Sequence, residues 1–146
     1  MQKILDFESS REHYTADACV VWCFDARFTK SLQGFAQARN YRSYDLVRIA
    51  GGAKSLASPD NESERIFVLK QIEISLKLHR AEKIVLMTHS DCGAYGGIKS
   101  FENDIDREKE THIKELTAAR EFLEKNLSMS VPVELLFVNF DSIWEL

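Results

Sequence analysis

Two short apolar runs constrain the fold of this chain more than any other feature. They are ACVVWCF at Ala18–Phe24 and EKIVLMTH at Glu82–His89, apolar from Ile84. Both have the length of a strand, and neither alternates apolar with polar residues. A strand with one wet face alternates, whereas a continuous run reads as a strand buried on both faces, the pattern of a parallel sheet. YDLVRIA (Tyr44–Ala50) and PVELLFVNF (Pro132–Phe140) read as two further strands. The segments between them carry helical period. TKSLQGFAQARN places Leu32, Phe35 and Ala38 on one side, and DREKETHIKELTAAREFLEKNL places Ile113, Leu116, Ala119 and Leu123 on an inner stripe. The remaining segment opens with helix-capping chemistry, Ser58 then Pro59 with acids following. Its IEISLKL portion alternates as a strand would, yet Ile66, Leu69, Ile72 and Leu76 keep helical spacing. A helix is therefore expected over Glu62 to Leu78. Strands alternating with helices predict an α/β fold, a central mostly parallel sheet flanked by helices on both faces. No repeat or linker divides residues 1–146, so one domain is expected, with residues 1–17 as a short helical arm.

Composition limits what such a domain does. A net charge of −4 argues against nucleic acid as the main partner, because a dedicated phosphate binder is usually basic. No apolar run is long enough to span a bilayer, and the opening MQKILDFESSREHY is too charged for a signal peptide. The cysteines are Cys19, Cys23 and Cys92. An odd count without an export signal argues for a reducing, cytoplasmic setting, where cysteines serve metals or catalysis more often than disulfides.

In parallel α/β sheets ligands gather at the carboxyl ends of the strands. Three such ends carry chemistry here: CFDAR (Cys23–Arg27), RIAGG (Arg48–Gly52) and HSDCG (His89–Gly93). On one sheet edge Cys23, His89 and Cys92 can converge. Two thiolates and an imidazole suit zinc, which is usually tetrahedral and keeps a position for water or substrate when it has three protein ligands. The glycines after Cys92 relieve crowding where the backbone bends, and a helix starting near Ala94 would favour the Cys92 thiolate through its dipole. Taken singly, Cys23 is equally a buried core thiol and His89 a hydrogen-bonded strand-end histidine. Asp25 and Arg27 beside Cys23 favour the metal. Arginine can hold a carboxylate through paired hydrogen bonds. Asp25, kept ionised on the same side of an extended segment, either accepts a proton from zinc-bound water or coordinates zinc itself.

Other residues have blander readings. Cys19 is expected to be a core thiol. His79 and His112 lie in helical segments with polar neighbours and are expected to be solvated or capping. Tyr95 lines the pocket or packs. Asp91 is either a hydrogen-bonding neighbour of the ligands or a solvent-facing turn residue. Lys54 and Arg48 attract an anion or face water. The apolar tail, with Ile143, Trp144 and Leu146, is expected to dock on the core or on a partner subunit.

The motifs CFDAR, RIAGG and HSDCGAYGG, in this order between Ala18 and Gly97, resemble those of the β-class carbonic anhydrases. That family carries Cys-x-Asp-x-Arg after its first core strand and His-x-x-Cys after a later one. The resemblance implies a β-carbonic-anhydrase-like fold and zinc held by Cys23, His89 and Cys92. It implies an Asp25–Arg27 dyad as catalytic groups, and reversible hydration of carbon dioxide to bicarbonate through zinc-bound hydroxide. It also implies a homodimer, which would cover an exposed sheet edge. The chain departs from the family where Phe24 and Ala26 replace serines, where Ile49 replaces an asparagine, and where His13 and Tyr14 stand near the place of a substrate-orienting glutamine. The chain is short for the family. These departures open two further readings: a hydrolase of a small sulfur analogue of carbon dioxide, and a non-enzymatic domain whose zinc is structural or sensing.

Overall fold

Five strands form one sheet in a computed structural model that describes residues 1–146. They are β1 (Ala18–Cys23), β2 (Tyr44–Ile49), β3 (Ile84–His89), β4 (Val133–Val138) and β5 (Ile143–Glu145), in the order β2-β1-β3-β4-β5. β1 to β4 are mutually parallel, and β5 runs antiparallel to β4 with Trp144 opposite Phe137. The two continuous apolar runs are the neighbouring strands β1 and β3, and every residue of both is buried. β2 carries Asp45 and Arg48 and lies at an edge, where polar side chains can reach water.

Successive strand residues face opposite sides of a sheet, and each side has its own core. Val20, Trp22, Val85, Met87 and Leu136 pack against Phe28 and against Leu32 and Phe35 of α1 (Thr29–Ala38). On the other side Val21, Leu86, Leu135 and Phe137 meet three helices. Those helices are α2 (Lys54–Ala57), α3 (Glu62–Leu78) and α4 (Ile105–Asn126), contributing Leu56, Ile72, Leu76, Leu116 and Leu123. The ambiguous IEISLKL stretch is helical because Ile72 and Leu76 find a sheet face to cover. α4 begins where the Asp104 carboxylate accepts hydrogen bonds from the backbone N–H groups of Asp106 and Arg107.

Residues 1–17 do not form the expected helical arm. They contain no regular secondary structure except the approach to β1, and Ile4, Leu5 and Phe7 are exposed. A short isolated helix is marginal in water unless an apolar stripe finds a partner surface, and these side chains find none. The arm is tied down towards its end, where Ala16 pairs with His79 and Glu82 through the backbone and Tyr14, Thr15 and Asp17 bond to Asp45, Arg42 and Ser43. No helix is long and apolar enough to cross a membrane. The tail docks on this chain's own sheet as β5.

Candidate metal centre

Cys23 ends β1 and His89 ends β3, and these strands are parallel neighbours, so both side chains reach the same sheet edge. Cys92 follows on the next turn. The two sulfurs and an imidazole nitrogen lie within 4.8 Å of one another, and all three residues are buried. His89 Nδ1 lies 2.8 Å from the carbonyl oxygen of Ser90. A carbonyl only accepts, so Nδ1 carries the hydrogen and Nε2 presents a lone pair, as a metal-ligating histidine does. Nε2 is buried and has no hydrogen-bond partner. An orphaned acceptor beside two thiols fits a bound cation. The two thiols lie close together, and the proximity of Cys92 lowers the Cys23 thiol while the same proximity, with burial, raises that of Cys92. A divalent cation held there would favour both sulfurs as thiolates.

Local backbone chemistry makes this convergence possible. Gly52 has φ +58°, and a Cβ there would stand 2.2 Å from the Met87 carbonyl oxygen, so the loop after β2 lies directly against β3. After Cys92 the chain makes only one 3-10 turn, Gly93–Tyr95, before Gly96 and Gly97 take positive φ. The expected helix near Ala94 is therefore absent, and with it the proposed dipole. The nearby N–H groups of Ala94 and Tyr95 favour the Cys92 thiolate only locally, and the contact with Cys23 outweighs them.

Asp25 and Arg27 do pair, though not on an extended segment. Asp25 caps a 3-10 turn, Ala26–Phe28, its Oδ1 accepting from the Arg27 N–H at 2.9 Å. Arg27 Nε and Nη2 then donate to the same carboxylate at distances from 2.7 to 3.1 Å. These bonds, the side-chain ones foremost, hold Asp25 below the ordinary carboxylate range. Asp25 is not among the clustered ligand atoms. Arg27 also donates through Nη1 to Asp91 Oδ2 and through Nη2 to the Asp91 carbonyl, both at 2.9 Å. An open cleft of about 700 Å³ is lined by Cys23, Cys92, Asp25 and Arg27, with Phe24 63% exposed at its rim. A cation held by the cluster would face this cleft.

The remaining candidates separate clearly. Arg48 binds backbone, its Nε donating to the Cys23 carbonyl at 3.2 Å, and so holds the end of β1 rather than an anion. Lys54 is engaged by Asp60 and the Ser58 carbonyl. Tyr95 is a packing residue, its ring against His112 and its hydroxyl on Glu115. Cys19 is fully buried, and burial pushes its thiol up to about 11. His79 contacts the Asp45 carboxylate at 2.9 Å and stacks on Tyr14. His112 is not solvated but fully buried, with both ring nitrogens unpartnered. Asp91 faces the dyad, and its backbone N–H donates to the buried Glu108, a residue that sequence reasoning missed.

A family model described as "Putative carbonic anhydrase" matches residues 14–146. The chain belongs to this carbonic anhydrase family. It is similar to an uncharacterized protein of Rickettsia bellii, 26% identical over 131 residues, a match covering 85% of this chain and 80% of that protein. Among solved structures, β-carbonic anhydrase isoform I of Trichomonas vaginalis superposes with a TM-score of 0.64 at 12% identity, over 96% of this chain and 87% of the other. A carbonic anhydrase of Streptococcus mutans gives 0.57 at 18%, over 94% and 87%. The apo form of a carbon disulfide hydrolase gives 0.50 at 14%, over 88% and 77%. At these identities the structural likeness establishes the fold of this carbonic anhydrase family member.

Proposed function

We propose that this protein is a zinc-dependent lyase that hydrates carbon dioxide reversibly to bicarbonate and a proton, with Cys23, His89 and Cys92 as metal ligands and Asp25 and Arg27 as catalytic groups. The observation that carries this reading is the meeting of an unpartnered imidazole nitrogen with two thiols that line an open cleft. Zinc bound there supplies Lewis acidity, bringing the ionisation of water toward neutral pH. The protein supplies the rest. The two thiolates offset the metal charge and hold it at the strand ends. Asp25, kept ionised by Arg27, is a fixed acceptor at the cleft wall that takes and orients a proton from reacting water at its carboxylate oxygens. Phe24, Ala26, Ala50 and Ala94 give the cleft apolar walls suited to a small uncharged substrate.

Stopped-flow carbon dioxide hydration tests the reading. Zinc-loaded protein should exceed its Cys92→Ser variant by at least about 100-fold; equal rates would reject it.

A second reading draws on the wall itself. Phe24 and Ala26 stand in CFDAR at a cleft mouth without side-chain hydroxyls, which favours a more apolar electrophile such as carbon disulfide, the substrate named for one structural neighbour. Release of sulfide from carbon disulfide, with negligible carbon dioxide hydration, would replace the first reading by the second. Zinc uptake with neither activity would leave a structural or sensing role. A cytoplasmic setting agrees with three unpaired cysteines.

We also propose a homodimer. β2 leaves one sheet edge unpaired, with Leu46 exposed, and α3 turns Phe67, Ile74 and Leu78 outward. A second copy would cover this edge and face together.

A further inference from the structure

Asp91 has an unusual set of duties for a residue between two candidate ligands. It takes φ +53°, a left-handed conformation that few non-glycine residues adopt. One carboxylate oxygen, Oδ1, accepts from the Ile98 N–H at 3.0 Å, which fixes the turn after Cys92. The other, Oδ2, accepts from Arg27 Nη1 at 2.9 Å, and the Asp91 carbonyl accepts from Nη2 at the same distance. Its own N–H donates to Glu108 Oε1 at 2.7 Å. Glu108 lies on α4, is 1% exposed, and so gives this bond a fixed base inside the protein. The guanidinium of Arg27 is thus gripped from both sides, by Asp25 on one and by Asp91 on the other. Asp25 sits two residues from Cys23 and lines the same cleft, but stays outside the ligand cluster. Nothing but Arg27 holds its carboxylate oxygens: every hydrogen bond to them comes from that residue.

We propose that Asp91, backed by the buried Glu108, is a positioning residue that anchors Arg27 and thereby keeps the Asp25 carboxylate away from the metal position. The inference rests on the metal reading given above and adds to it the groups that decide whether the site is open or closed. Arg27 alone is a flexible side chain, 46% exposed, and a single ion pair at that exposure is weakly held. Bound bidentately to Asp91 it has one orientation, and that orientation presents Nε and Nη2 to Asp25. With the anchor removed, the Arg27 side chain is free to swing into solvent, and Asp25 keeps only the Arg27 backbone N–H, leaving its Oδ2 without a partner beside a divalent cation.

The experiment uses cobalt(II) in place of zinc, because its visible bands report ligand number and type. Asp91→Asn is the main variant. Asparagine tolerates positive φ and its side-chain oxygen still accepts from Ile98, so the turn is kept while the negative charge that pairs with Arg27 is lost. The cobalt form of Asp91→Asn should show altered bands and bind azide at least about tenfold more weakly than the wild type, because azide must displace Asp25. The double variant Asp91→Asn/Asp25→Asn should regain the wild-type azide affinity. Glu108→Gln, which keeps the acceptor for the Asp91 N–H, should match the wild type, and Glu108→Ala should move toward Asp91→Asn. Unchanged bands and azide affinity in Asp91→Asn would overturn the proposal, as would a double variant no better than the single one, the mark of a merely loosened site. Wild-type protein that takes up no cobalt would overturn the metal reading and the proposal with it. None of these outcomes depends on carbon dioxide turnover.

Discussion

His112 shows how much one residue can be set by its surroundings. Its ring lies among Tyr95, Phe101 and Phe137, and neither nitrogen finds a partner. Burial first, and the neighbouring His89 second, lower its pKa from 6.5 to about 4. The unfolded chain therefore binds one more proton than the folded one between those values. The stability from this group is complete above pH 6.5 and is lost as pH falls through that window, on the order of 3 kcal/mol in all. His112→Phe fills the same aromatic site without a titrating group. Denaturant unfolding of both proteins from pH 7 to pH 4 should show a steeper decline for the wild type; parallel declines would refute the assignment. Sequence spacing held the signal for this burial. Glu108, His112, Leu116, Ala119 and Leu123 form one buried stripe on α4. The polar chemistry of the first two obscured their place on it, and only the partner for the Asp91 N–H explains the buried acid.

At the scale of elements, what was legible in the sequence was what burial writes as unbroken apolar residues. β1 and β3 are buried on both faces, so ACVVWC and IVLMTH read as strands. Their parallel pairing then brought Cys23 and His89 to one edge. β5 carries only three residues with one partner strand, which is too little for a pattern. The arm before β1 and the turn after Cys92 failed for a different reason. Helical composition needs a surface to cover or room to continue, and neither was present. Gly52 shows the converse, a feature whose cause lies across the chain. Gly52→Ala would place a methyl group against the Met87 carbonyl and force a positive φ. The expected cost is at least about 2 kcal/mol, read as a fall in the denaturant midpoint, together with weaker zinc retention because the Cys23 backbone is 3.2 Å from the same point. A Gly52→Ala protein as stable as the wild type would mean that the close approach of this loop to β3 is not maintained.

For the whole molecule, an unpaired β2 edge and an apolar outer face on α3 call for a second copy. Sedimentation velocity should give a dimer at micromolar concentration, and Phe67→Asp should shift it toward monomer; a monomeric wild type would contradict the proposed assembly. The account as a whole turns on three side chains from separate parts of the sheet edge sharing one ion. X-ray absorption at the zinc edge of the loaded protein tests this most directly. Two sulfur neighbours at about 2.3 Å and two nitrogen or oxygen neighbours at about 2.0–2.1 Å are predicted, with one sulfur lost in Cys23→Ser. A zinc shell without sulfur, or one unchanged by Cys23→Ser, would contradict it.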